Sequence, residues 1–177
     1  MVVRNAYLLS RFGGTTVIAL LYAGARVEDR IDSLFQEWQC LGAPVLVAET
    51  DQTIKPRRPE VVIAESTAHC RESGRLMWVV LYWLIRHIDE IDEPKLIQDA
   101  LNCGDLSVLG VLCDAASQRQ ENPKFQRLME ACVPHSQLEP FFYRVARSPL
   151  AMRLTQENPN AVFRRWNYLC SELLYLE

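Results

Sequence analysis

Val45-Leu46-Val47-Ala48, the basic loop Lys55-Pro56-Arg57-Arg58-Pro59, and Val61-Val62-Ile63-Ala64 form the stretch on which the fold turns. Two short β-favouring runs flank a loop that its prolines keep out of a helix. Proline lacks an N–H and biases the residue before it toward extended backbone. The runs lie too close together for a helical crossover, so an antiparallel hairpin with a long cationic tip is the economical reading. An isolated hairpin is marginal in water, and this one must pack on the helices before it.

Three helices are expected upstream. Residues 2–12 suit a short helix ended by Gly13-Gly14, and Thr15 or Thr16 caps a second through Tyr22. After the turn Ala23-Gly24-Ala25, the residues Val27, Ile31, Leu34, Phe35 and Trp38 make one apolar stripe on a helix running to about Leu41, stopped by Gly42. Three helices followed by a basic-tipped hairpin resemble a winged-helix unit, here residues 1–66. That resemblance implies phosphate or minor-groove contact from the wing and base reading from the third helix. The candidate phosphate contacts are Lys55, Arg57 and Arg58 on the tip with Arg4 and Arg11 behind it, and Gln36 and Gln39 are the candidate base readers. Glu28, Asp29, Asp32 and Glu37 on the same helix would repel a phosphate backbone, so a protein-binding role competes with duplex DNA.

From Ala68 onward the pattern is helical. Residues 71–90 read as one long core helix. Its run Leu76–Ile85 is far short of the ~20 residues that span a bilayer. Asp92 caps the next helix, with Pro94 in its first turn and Gly104 at its end; Asp105 caps another, and Asn122-Pro123 opens one that closes before Pro134. Ser136 and Glu139 have capping-box spacing for a helix to about Arg147. Asn158-Pro159 starts the last helix, whose wide apolar face reaches Leu176-Glu177 without a stop signal, which leaves room for further chain. Short helices with asparagine or aspartate caps recur without a fixed period, so a helical-repeat reading stands beside a bundle. The expected fold is mainly α with a small β-hairpin: a winged-helix-like unit over 1–66 and a helical bundle over 67–177.

A hydrophobic content of 49% with 23% charged residues fits a globular chain and argues against disorder. The net charge of -3 exerts no global pull on polyanions, so any nucleic-acid contact must rest on a local patch. Arg144, Arg147, Arg153, Arg164 and Arg165 lie among aromatics at core spacing and read as a solvated helix face. The six cysteines are scattered with no CxxC, so they read as reduced, buried small hydrophobes, and neither zinc nor a redox motif is indicated. No cofactor is implied. Glu49, Asp51, Glu60 and Glu65 read as charges guarding the edges of the hairpin. Met1-Val2-Val3-Arg4 does not open a signal peptide. The chain is thus expected to be a non-enzymatic, cytoplasmic regulatory or binding module. Its partner is duplex DNA through the basic wing, or a protein or second copy through the helices.

Overall fold

The computed structural model describes the backbone of residues 15–47, 57–143 and 159–170, with single positions between 149 and 157, and side chains of the first helix from Val27 on. The order is α1 (Thr15–Cys40), α2 (Pro59–His69), α3 (Gly74–His87), a 3-10 turn (Ile88–Glu90), α4 (Glu93–Cys103), α5 (Leu106–Ser117), α6 (Pro123–Ala131), β1 (Glu139–Pro140), α7 (Ala161–Arg165) and β2 (Tyr168–Leu169). The fold is mainly helical, as expected. Among the described residues, no helix is long and apolar enough to cross a membrane.

α1 buries the stripe read from sequence: Ile31, Leu34, Phe35 and Trp38 are in the core, and Val27 packs partly against it. The expected break at Ala23-Gly24-Ala25 does not occur, and one helix runs through it. A single interior glycine costs a helix only about 1 kcal/mol relative to alanine, and the alanines on either side favour helix.

The second run of the expected hairpin is not a strand. Val61, Val62 and Ile63 lie inside α2, and the winged-helix hairpin is not formed by them. Pro59 occupies the first turn, where its missing N–H has no partner to lose and its fixed φ suits the helix. Arg58 before it is extended, as a residue preceding proline should be. The β-branched residues give up only a few tenths of a kcal/mol each in a helix, against full burial of Val62, Ile63 and Ala64. The same helix runs across Ser66-Thr67, where a domain boundary was expected, and one apolar cluster takes in residues before and after that point.

The middle of the chain follows its caps. The side chains of Ser73, Asp92, Asp105 and Asn122 accept backbone N–H groups at the starts of α3, α4, α5 and α6. α2 packs chiefly on α4, α3 on α5, and α5 on α6. The helices α2, α4 and α6 each carry a proline in the first turn: Pro59, Pro94 and Pro123. α5 is the centre, buried at every position from Ser107 to Ala116. Gly104 lets α4 end against α2, because a Cβ there would lie 2.4 Å from the Ala64 carbonyl oxygen. The Lys124 ammonium ties α6 to the 3-10 turn that follows α3 by donating to the carbonyls of Ile88, Asp89 and Ile91 at 3.3, 3.0 and 2.7 Å.

Past Pro134 the caps mislead. Ser136 starts no helix; Glu139 and Pro140 instead pair in parallel with Tyr168 and Leu169. The Glu139 carboxylate, expected to close a capping box, is 2.6 Å from Arg71 of the α2–α3 turn. The last helix begins at Ala161, capped by Asn160, and stops at Arg165 instead of running on. Asn167 takes a positive φ of 60°, which asparagine tolerates, and its amide donates to the His135 carbonyl. Trp166 lies against Gly110 so closely that a Cβ there would be 2.3 Å from the ring. Its indole N–H and the Arg165 guanidinium both bind the buried Asp114 carboxylate, at 3.1 and 2.9 Å. Of the cysteines, Cys70, Cys113, Cys132 and Cys170 are buried as expected, whereas Cys40 and Cys103 are exposed near helix ends.

Candidate functional site

Arg57 and Arg58, the tip of the expected wing, form a strap across three helices. The Nε and Nη2 of Arg57 donate to both carboxylate oxygens of Glu37 on α1, each at 2.6 Å. Its Nη1 lies 2.8 Å from Glu65 on α2, and Arg30 of α1 pairs with the other oxygen of Glu65. Signs therefore alternate along Glu37, Arg57, Glu65 and Arg30. Such a bidentate fork is among the stronger polar contacts available to a protein. Burial disfavours the ionised Glu65 carboxyl, but the hydrogen bonds and charges of Arg30 and Arg57 outweigh it and hold the group below its ordinary pKa. The hydrogen bonds that Arg57 donates to Glu37 push its guanidinium further above its already high value, against partial burial. Arg58 donates to Asp99 of α4 at 3.2 Å from a more exposed position.

Of the other residues read as nucleic-acid contacts, Gln36 is half-buried and Gln39 exposed near the end of α1. Lys55, Arg4 and Arg11 lie outside the described residues. The partners of the strap were present in sequence under other readings: Glu37 as a repelling charge on a reading helix, Glu65 as a strand-edge charge. No sequence signal set Glu37 apart from the other acids of α1; its burial beside Trp38 is a product of helix packing. A carboxylate only 4% exposed demands a cation.

A second polar cluster fastens the C-terminal segment. Asp105 accepts from the backbone of Ser107 and Val108 and from the Ser107 hydroxyl, which shares a 2.6 Å hydrogen bond with the Tyr168 hydroxyl. Burial raises the Tyr168 phenol. Arg71 bonds the carbonyls of Pro140 and Phe141 and covers the Tyr168 ring, while His135 stacks on that ring with centroids 5.3 Å apart. Ser107 and Tyr168 are both buried, so the hydroxyl pair acts as a clasp between α5 and β2. No local motif announced it, because its members come from four separate stretches of chain.

A third arrangement occupies the outer face of α3. Arg75 and Arg86, which border the apolar run Leu76–Ile85, are exposed, and between them Trp78 and Tyr82 are half-buried. The Trp78 and Tyr82 rings lie 5.2 Å apart and 30° from parallel. The Arg86 guanidinium rests 3.5 Å from the centroid of Tyr82, and that of Arg75 4.5 Å from the centroid of Phe35 on α1. α3 carries no acidic residue.

Among the described residues, no group of three or more histidine, cysteine, aspartate or glutamate side chains is placed to hold a metal ion. Arg153, expected on a solvated face, pairs with Glu157, and Arg164 is exposed. No family model, curated protein or solved structure matches this chain.

Proposed function

We propose that the chain is a non-enzymatic binding module that engages a protein partner through the exposed faces of its helices. The observation that carries this reading is the engagement of Arg57 and Arg58. Both phosphate contacts expected of a DNA wing that fall among the described residues are spent on carboxylates within the chain. Releasing Arg57 to a phosphate would strand the Glu37 carboxylate in the core, and an unpaired buried charge costs several kcal/mol, about as much as one or two phosphate contacts return. Duplex DNA therefore loses Arg57 and Arg58, two of the cations that recommended it, whereas a partner protein held by helix faces does not depend on them.

The test uses the full chain, tagged and recovered from cells that express it. The expected result is a stoichiometric protein partner that survives nuclease treatment, with no retention of mixed duplex DNA at low salt, where electrostatic binding is strongest. Retention of duplex DNA that weakens when Arg57 and Arg58 become alanine would overturn the reading in favour of a basic wing.

A further inference from the structure

We propose that the outer face of α3 is a docking site for an extended acidic peptide, one that lays a proline or apolar residue on the Trp78–Tyr82 pair and a carboxylate on each of Arg75 and Arg86. This rests on the protein-binding reading above and names its site.

The spacing comes from the helix. Arg75 and Arg86 are eleven residues apart, close to three whole turns, so they project from the same side about 16 Å apart along the axis. Trp78 and Tyr82 fall at three and seven residues from Arg75, on the same side and between the two charges. Each guanidinium gives one N–H to a carbonyl, Arg75 to Leu46 at 2.7 Å and Arg86 to Tyr82 at 3.5 Å. A guanidinium has five such donors in a fork that fits a carboxylate. Neither pairs with a carboxylate among the described residues, in contrast to Arg57 and Arg58. Ring contacts hold both charges in place, which lowers the entropy lost when an anion arrives.

Charge complementarity selects the occupant. The stripe offers two cations and no acid, so it suits a ligand with two negative charges at matching separation. Polyproline II backbone rises about 3.1 Å per residue, so carboxylates about five residues apart span the two guanidiniums. Flat aromatic surfaces are the usual dock for the proline rings between them. A single-stranded nucleic acid fits less well. Two phosphate contacts yield a salt slope of only about 1.4, and the acidic residues Asp89 and Glu90 meet a continuing phosphate chain just past Arg86.

The probe is the fluorescein-labelled peptide Gly-Glu-Pro-Leu-Pro-Pro-Glu-Gly, amidated at its C-terminus, titrated by anisotropy at low salt. Saturable binding is expected. It should weaken about three-fold for either R75Q or R86Q and about ten-fold for the pair, as exposed charge pairs contribute. The same loss is expected when the peptide's two glutamates become glutamines. The R75E/R86E double variant, with an unchanged circular dichroism spectrum, should lose the acidic peptide and gain one in which lysines replace those glutamates. A merely structural role for the arginines would not produce that exchange. Absence of saturable binding, equal binding by the R75Q/R86Q variant, or tighter binding of a twelve-residue oligothymidine would each overturn the proposal. So would a dimer that dissociates on R75Q/R86Q substitution, since the face would then meet a second copy. If the protein partner is captured equally by wild type and R75Q/R86Q, this site is wrong while the protein-binding reading stands. If duplex DNA is captured through Arg57 and Arg58 instead, that reading falls with it.

Discussion

The arginines at 57 and 58 and those at 75 and 86 bring the same charge into different surroundings. The first pair ends on carboxylates of α1, α2 and α4, so each charge is neutralised and joins elements distant in sequence. The second pair ends on aromatic rings and backbone carbonyls, which fix the guanidinium and leave its positive charge in place. An arginine facing a buried carboxylate belongs to the fold, and one lying on a ring keeps its charge for a visitor. Sequence shows neither circumstance. The more conspicuous cluster, bracketed by prolines, proved the more occupied.

That contrast can be broken by measuring stability. A packed ring sets the upper end of the scale. Trp83 is 3% exposed, bonds the Leu41 carbonyl and lies against Trp38. Trp83→Ala is expected to cost about 3–5 kcal/mol in urea unfolding. Arg57→Ala comes next. It leaves Glu37 buried without its fork, and the loss should be about 2–3 kcal/mol, less than for a fully buried pair because Arg57 is itself partly exposed. An unfolding midpoint equal to wild type would mean that the strap is incidental.

Glu65 sharpens the comparison through pH. Its folded pKa lies below the ordinary carboxyl value, so its contribution is fully present above the unfolded pKa of about 4.3 and is lost as pH falls through the folded value. Thermal melts between neutral pH and pH 3 should show a decline on the acid side that Glu65→Gln reduces. If the variant's acid profile parallels the wild type's, the carboxylate is not held as described. The smallest effect belongs to the other pair. Arg86→Ala should change stability by about 0.5 kcal/mol or less, while removing half the charge of the α3 face. A loss as large as that of Arg57→Ala would erase the distinction between the two pairs.

Much of the helical framework was legible because its signals are local. The α1 stripe and the caps Asp92, Asp105 and Asn122 act within one or two turns, and the structure uses each as read. Where the reading failed, distant partners decided. Val61–Ile63 have strand propensity, yet Pro59 opens a helix there and the surrounding core encloses it. Glu139 has the spacing of a cap, yet Arg71, far away in sequence, takes its carboxylate. The candidate sites were less legible still. Glu37 and Arg57, or Arg86 and its ring, become partners only once helices are placed, and no spacing along the chain records that event.

The burial of α5 has a kinetic meaning. Every position from Ser107 to Ala116 is covered by neighbouring elements, so no small local excursion exposes those amides to solvent. In deuterium-exchange mass spectrometry, the fragment spanning this helix should label last and at a rate governed by opening of the whole molecule. It is then an internal clock. Changes of its labelling rate in any variant report the global unfolding free energy, while early labelling elsewhere reports only what happens on the surface.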